Sequence, residues 1–163
     1  MSGLAVLVVE DEPEVRDALV HDLAALRGSI RVEAAEDVDD ARAALAELTR
    51  AGDRVGLVLA DHRLPGTSGV DFLVELHQDP ATRPTRKVLV TGQADQADTI
   101  QAVNEADLDH YIAKPWQPHE LLEVARTMLT AYVIDQRLDP LPFVRDLDGP
   151  RLLEAFSRRA ADR

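Results

Sequence analysis

Five residues with reactive or charged side chains stand at the ends of apolar runs in the sequence. Glu10 and Asp11 follow the first run, and Asp61 follows a later one. Thr91 and Lys114 end two further runs. If these runs are neighbouring strands of one parallel sheet, their carboxyl ends meet at one edge, where open α/β sheets bind ligands. The pattern therefore predicts a cluster of carboxylates with one hydroxyl and one ammonium group.

Such a cluster favours a hard cation. Two carboxylates about 4 Å apart repel by roughly 4 kcal/mol at an effective dielectric of 20, and a divalent ion relieves this cost without protonation. An all-oxygen ligand set with few protein donors suits Mg²⁺, which keeps several waters. A carboxylate beside Mg²⁺ and a lysine can attack phosphorus and form an acyl phosphate. Lys114 and the metal would then hold the charge of the transferring oxygens.

The elements that must position these residues alternate between strand and helix. Short apolar runs predict five strands, at 4–9, 30–34, 55–60, 87–90 and 110–113. Helical periodicity and capping residues predict five helices, at 13 to about 28, 37–50, 70–77, 95–106 and 118 to about 136. Alternation of this kind predicts an α/β fold with a parallel sheet and helices on both faces.

Composition excludes several classes of function. The 163 residues carry a net charge of -12, which argues against a nucleic-acid surface and against binding to anionic membranes. The absence of cysteine excludes disulfides, zinc–thiolate sites and thiol nucleophiles. The longest apolar run, 4–9, is too short for a signal sequence or a membrane span. We therefore expect a globular cytoplasmic protein without direct nucleic-acid or membrane contacts.

The last part of the chain differs from the rest. Acids and bases cancel in residues 135–163, so the charge excess lies in the body. We expect a folded body at 1–136 and, at 137–163, a proline-containing linker with a short tail helix. Leu152, Leu153 and Phe156 would form one apolar side of this helix, and we expect that side to serve docking or dimerisation.

Four segments together resemble the receiver domain of two-component response regulators. They are VVEDEP at 8–13, LVLADHRLPGTSG at 57–69, VLVTGQ at 88–93 and YIAKPW at 111–116. The resemblance covers about four fifths of the chain and each segment falls at an expected strand end. It implies a flavodoxin-like (βα)5 fold, with a doubly wound five-stranded parallel sheet in the order 2-1-3-4-5.

The resemblance also implies a role for each site residue. Asp61 would be the phosphoacceptor and a ligand of Mg²⁺. Asp11 would bind the ion directly, Glu10 through water, and Arg63 through its backbone carbonyl. The Arg63 side chain departs from the commonest pattern and could flank the phosphoryl group.

The remaining implied roles concern catalysis and switching. Thr91 and Lys114 would each contact a phosphoryl oxygen, with Lys114 also pairing with Asp61. Tyr111 would be an aromatic switch that follows Thr91, and Pro115 would be cis. Ordinary structural roles are expected for the five histidines, which we place at the surface, and Trp116 is interpreted as a surface aromatic.

The function implied is a phosphorylation-dependent switch rather than a classical enzyme, although the domain would catalyse its own phosphorylation and dephosphorylation. A sensor histidine kinase would donate the phosphoryl group, and output would pass by protein contact. A homodimer could form through the fourth helix, fifth strand and fifth helix, or through the tail. Two alternative functions stay open: a phosphorelay intermediate, and a receiver-like module that acts without phosphorylation. A dehalogenase-type phosphatase is disfavoured because Asp-x-Asp is missing after the first strand, and a dinucleotide-binding enzyme because G-x-G-x-x-G is missing.

Overall fold

Five strands and six helices are present in the part of the chain that the structure describes. The computed structural model describes residues 3–92 and 96–162. The strands are β1 (Leu4–Val9), β2 (Ile30–Ala35), β3 (Arg54–Ala60), β4 (Arg86–Thr91) and β5 (His110–Ala113). The helices are α1 (Pro13–Asp22), α2 (Val38–Arg50), α3 (Gly69–Gln78), α4 (Gln96–Glu105), α5 (Pro118–Asp135) and α6 (Gly149–Ala161). Two 3₁₀ turns lie at Ala24–Leu26 and Leu141–Phe143.

The strands form one parallel sheet in the order β2-β1-β3-β4-β5. The predicted doubly wound α/β fold and its strand order are thus confirmed. In the register of the sheet, Val9 at the end of β1 lies between Ala35 of β2 and Ala60 of β3. The residues that follow these three strands therefore emerge side by side at one edge.

Both faces of the sheet are covered. Every residue of β1 is buried, and successive side chains alternate between two clusters because the strand period is two. Leu4, Val6 and Val8 join the cluster beneath α1 and α5, whereas Leu7 and Val9 join the one beneath α2, α3 and α4. Continuous apolar runs are typical of such doubly covered parallel strands.

The helix ends differ in places from the predicted ones. The first helix ends at Asp22 rather than near Gly28, and a 3₁₀ turn replaces its expected last turn. Asp95, where the fourth helix was expected to begin, lies outside the described residues. In the part of the chain that the structure describes, none of the helices is both long and apolar enough to cross a bilayer.

The segment after α5 packs on the body through apolar side chains. Phe143, Leu147 and Leu152 are at most 6% exposed and belong to the cluster beneath α1 and α5. The expectation that Leu152 serves docking or dimerisation together with Leu153 and Phe156 is therefore wrong for Leu152, which packs on the body. Helix α6 turns Leu152 towards α5, because that is the direction of the nearest apolar surface, and leaves Leu153 and Phe156 partly exposed.

Polar contacts fix the same segment. Ser29 donates a hydrogen bond to the Asp146 carboxylate, and the Arg126 guanidinium donates to the Asp146 carbonyl at 3.1 Å. The Asp148 amide donates to Thr130 Oγ1 at 3.2 Å, while the Asp148 side chain caps α6. These bonds join the start of β2, helix α5 and the tail, so the tail has one defined position.

A lysine is buried at the opposite end of the sheet from the predicted site. Lys87 is 2% exposed, and its ammonium donates hydrogen bonds to the carbonyls of Arg83 (3.0 Å) and Thr85 (2.8 Å). Burial lowers the pKa of Lys87, and the negative charge of Asp109 opposes that effect only in part. Nothing in the sequence distinguished this lysine from a solvated one.

Candidate functional site

Backbone hydrogen bonds extend the sheet one step beyond its strands and thereby place the site residues. The Glu10 amide donates to the Ala35 carbonyl at 3.0 Å, and the Asp61 amide donates to the Val9 carbonyl at 3.0 Å. The Lys114 amide donates to the Thr91 carbonyl at 3.2 Å. The backbone of these three site residues is therefore tied directly to the sheet.

Three carboxylates converge at this edge. Glu10, Asp11 and Asp61 each offer one oxygen, and these oxygens lie within 4.8 Å of one another. Glu10 and Asp61 are buried, whereas Asp11 is exposed. Oxygens so arranged, with one side open to water, fit a hydrated hard cation such as Mg²⁺. Arg63 lies exposed in the loop two residues after Asp61.

Lys114 is the cation of the cluster. Its ammonium donates a close hydrogen bond to Glu10 Oε1 and lies 3.3 Å from Asp61 Oδ2. Partial burial alone would lower the pKa of Lys114, but the hydrogen bond to Glu10 and the charge of Asp61 outweigh burial and raise it. Lys114 therefore stays charged, and it already touches the group that is predicted to be phosphorylated. The Lys114–Pro115 peptide is cis, as the resemblance implied.

Glu10 sits in the most enclosed part of the site. It is completely buried, and burial raises its pKa more than hydrogen bonds from Lys114 and from the Glu12 amide lower it. The Glu12 amide donates to Glu10 Oε2 at 3.2 Å, and Arg16 donates to the Glu10 carbonyl at 3.0 Å. Both oxygens of Glu10 therefore already accept a hydrogen bond, which suits contact with a metal through water.

The loop after Asp61 depends on a glycine. The Gly69 amide donates to the His62 carbonyl at 3.0 Å, which folds the loop back onto β3. A Cβ atom at Gly69 would lie 1.8 Å from the Asp61 carbonyl oxygen, so a larger residue has no room there. The close approach of Gly69 to the Asp61 carbonyl also fixes the backbone of Asp61. This requirement was not predicted, since glycine in a loop is common.

Thr91 and Tyr111 come together at the ends of β4 and β5. Thr91 is 1% exposed, and the half-buried Tyr111 donates its hydroxyl hydrogen bond to the Thr91 carbonyl at 3.3 Å. The next residue, Gly92, leaves space, because among the described residues the nearest atom to a Cβ there would be Lys114 Cβ at 3.8 Å. Gln93, part of the VLVTGQ segment, lies outside the described residues.

Two side chains near the site differ from their expected surface roles. His62 is half-buried, and its Nε2 lies 3.0 Å from an Asp98 carboxylate oxygen of α4. Trp116 packs against α1 and donates from Nε1 to Asp22 Oδ2 at 2.8 Å. Both contacts join residues far apart in the chain, and no local pattern indicates them. Three of the other histidines are exposed, and His77 is half-buried.

Known proteins resemble this chain over most of its length. The hydrogenase transcriptional regulatory protein HoxA of Cupriavidus necator is 32% identical over 156 residues, which are 96% of this chain and 30% of that protein. The phosphate regulon transcriptional regulatory protein PhoB of Escherichia coli is 33% identical over 117 residues, covering 72% of this chain and 48% of that protein. The chain thus spans half or less of the length of these relatives.

Solved structures resemble the body. The receiver domain of an HD domain-containing protein from Pseudomonas fluorescens matches with a TM-score of 0.68 and 27% identity, covering 80% of this chain and 97% of that one. A CheY-like receiver from Methanospirillum hungatei matches with a TM-score of 0.67 and 28% identity, covering 80% and 96%. These folds belong to signalling domains rather than to classical enzymes. The family model of the response regulator receiver domain matches residues 6–126, and the chain therefore belongs to the response regulator receiver domain family.

Proposed function

We propose that this chain is a phosphorylation-dependent switch in which Asp61 accepts a phosphoryl group from a sensor histidine kinase. The main support for this proposal is the environment of the Asp61 carboxylate. Its buried carboxylate lies 3.3 Å from the Lys114 ammonium and within 4.8 Å of oxygens of Glu10 and Asp11. This combination supports a nucleophile that lies beside one cationic side chain and faces a site for a metal cation.

The site residues would have separate roles in phosphoryl transfer. An Asp61 oxygen would form a bond to phosphorus while the phosphorus–nitrogen bond to the kinase histidine breaks, and the donor imidazole leaves with the electron pair. Asp11, Asp61 and the Arg63 carbonyl would hold Mg²⁺ directly and Glu10 through water. The bound ion would offset the negative charge of the phosphoryl oxygens. Lys114 would neutralise a further oxygen, exchanging part of its contact with Asp61 for one with the phosphoryl group.

Signal output would begin at Thr91 and Tyr111. The Thr91 hydroxyl would bond a phosphoryl oxygen, and Tyr111, tied to the Thr91 carbonyl, would follow its movement. Helix α4, next to this pair, presents Ile100 and Val103 with about half of each exposed. The face of α4, β5 and α5 is therefore our candidate for a homodimer or for a downstream protein. Coupling of about 1–3 kcal/mol between such a site and a surface is typical.

We also propose a division of the chain and a location. Residues 1–136 would be the receiver unit, and 137–163 an appendage that folds against it. The net charge of -12 supports protein partners rather than direct contacts with nucleic acid or anionic lipid. We propose a cytoplasmic location, where a histidine kinase would donate the phosphoryl group. Self-catalysed dephosphorylation would return the switch to its resting state.

The test is intact mass spectrometry after incubation with acetyl phosphate and Mg²⁺. We expect a gain of one phosphoryl mass that disappears in Asp61→Asn and in the presence of a chelator. Retention of the gain in Asp61→Asn would refute the assignment of the acceptor. No gain with acetyl phosphate or with any of a panel of autophosphorylated histidine kinases would refute the switch. It would favour a receiver-like module that acts by binding alone. Onward transfer to a histidine phosphotransfer protein would identify a phosphorelay intermediate.

A further inference from the structure

A groove lies between the end of α5 and the last turns of α6, and we call it the α5–α6 groove. Val133, Leu138, Leu152 and Phe156 are among the apolar residues that line it, and Arg137 and Arg159 stand on its rim. Its volume is about 280 Å³. An apolar cavity of about 150 Å³ holds benzene, so this groove has room for one or two large apolar side chains.

The groove follows from how the tail is attached. The first turn of α6 is fixed, because Leu152 is 1% exposed and Asp148 is bonded to α5. The later turns approach α5 less closely, so Ala155 stays half-buried and Phe156 is 42% exposed. The groove thus lies beyond the anchored first turn of α6, between the later turns of α6 and the end of α5.

The charge at the groove is opposite to that of the molecule. Among the described residues that line it, three are arginines (Arg137, Arg158 and Arg159) and one, Asp162, is acidic. The whole chain carries a net charge of -12. The Arg159 guanidinium lies 5.7 Å from the centre of the Phe156 ring, which places a cation directly beside the apolar floor.

Arg137 occupies a backbone position that normally belongs to glycine. Its φ is 53°, and its amide donates to the Ile134 carbonyl at 3.1 Å while the Leu138 amide donates to the Val133 carbonyl at 3.0 Å. This is the Schellman end of a helix, where glycine is favoured because side chains strain a positive φ. An arginine in this strained conformation, on the rim of a groove, points to a use for its side chain.

We propose that the α5–α6 groove binds an acidic amphipathic segment of a partner protein. An apolar side chain of the segment would rest on the floor between Val133 and Phe156, and flanking carboxylates would pair with Arg137 and Arg159. A second copy of this chain is disfavoured as the occupant, because a symmetric contact would bring arginines against arginines. Helix-in-groove recognition of this kind combines apolar anchors with charge on the rim.

The experiment selects, from a displayed library of random 16-residue peptides, those that bind the full chain. We expect enriched peptides to combine leucine or phenylalanine anchors with a net negative charge. Two of the enriched peptides should then be synthesised. Arg137→Gly should weaken the binding of each peptide roughly threefold, as expected for the loss of one exposed ion pair. The thermal midpoint of this variant should be unchanged or higher, because glycine suits the positive φ. Ala155→Trp, which fills the groove, should weaken binding more than tenfold.

Arg151→Ala is the matched control, since it removes an equal charge from an exposed part of α6 that does not line the groove. Its binding should equal that of the parent chain. Failure to enrich any peptide, enrichment of basic or neutral peptides, or equal effects of Arg137→Gly and Arg151→Ala would overturn the proposal. So would a dimer in sedimentation that Arg137→Gly dissociates, because the occupant would then be a second copy. Phosphorylation of Asp61 should be unaffected by either variant, which separates this test from that of the switch.

Discussion

Replacement of Lys114 by methionine should destabilise the protein strongly, because it leaves Glu10 buried without its cation. Glu10 is completely buried, whereas the Lys114 side chain is 18% exposed. Removing one partner of a buried ion pair costs about 3–5 kcal/mol. Repulsion between Glu10 and Asp61, whose nearest oxygens lie within 4.8 Å, amounts to about 3.5 kcal/mol at an effective dielectric of 20. The two figures describe the same unpaired charge and are not added.

Protonation limits this cost and gives it a pH dependence. Burial raises the pKa of Glu10 above its usual value of 4.5, and loss of Lys114 should raise it further. A carboxyl with a raised folded pKa favours folding at low pH, and that contribution is lost as pH rises through the folded pKa. We therefore expect Lys114→Met to lose about 3 kcal/mol of unfolding free energy at pH 8 and clearly less at pH 5.

Urea denaturation in the presence of a chelator, at both pH values, measures this effect. The double variant Glu10→Gln/Lys114→Met removes both charges, so it should lie within about 1 kcal/mol of Glu10→Gln alone, since coupled partners are not additive. Addition of Mg²⁺ should restore part of the stability of Lys114→Met, because an ion that binds only the folded state stabilises it. Equal stability of Lys114→Met and the parent chain at pH 8, or a double variant as unstable as Lys114→Met, would refute the reasoning.

Three further changes probe other parts of the molecule. Burial lowers the pKa of Lys87 in the folded protein below the ordinary value of 10.5. Between the lowered pKa and 10.5, the unfolded state therefore binds more protons than the folded state. Relative to Lys87→Met, the parent chain should therefore gain unfolding free energy as pH rises through this interval, and a loss would contradict the assignment. Gly69→Ala should cost about 3 kcal/mol in urea denaturation, because its Cβ would lie 1.8 Å from the Asp61 carbonyl oxygen. The control Gly92→Ala, with its nearest atom at 3.8 Å, should cost under about 1 kcal/mol. A chain that stops at Gln136 loses three buried apolar side chains, each worth about 1.5–3 kcal/mol, so its unfolding free energy should fall by roughly 4.5 kcal/mol or more and its thermal midpoint should drop. An unchanged thermal midpoint would show that the tail contributes nothing to the body.

The sheet and its reactive edge were predictable because both depend on local patterns. A strand covered on both faces must be apolar throughout, as Leu4–Val9 is. Because the strands are parallel, the polar residue that ends each run emerges at the same edge, and hydrogen bonds such as that from Asp61 to Val9 continue the ladder to it. The convergence of Glu10, Asp11 and Asp61 follows from these two facts.

Contacts between distant elements were not predictable in the same way. Leu152 and Leu153 are adjacent and equally apolar, and only the position of α5 decides which of them is buried. Lys87 is buried because carbonyls of the preceding turn meet its ammonium group, and that geometry exists only in the folded chain. The pair of His62 with Asp98 likewise joins a strand end to a helix. Each of these outcomes depends on how elements pack, which periodicity does not encode.

The shared cluster of Leu4 and Leu152 has a consequence for how this protein is made. Strand β1 leaves the ribosome early, but the last apolar side chains of this cluster, which pack on the α5 side, arrive only with the 3₁₀ turn at Leu141–Phe143 and with α6. Until then the cluster stays partly uncovered, and nascent chains with unprotected hydrophobic surface aggregate or recruit chaperones. Ribosome-bound chains should therefore become resistant to protease late, in one step, once α6 has emerged. Faster translation of the codons for residues 137–163 would shorten the vulnerable interval.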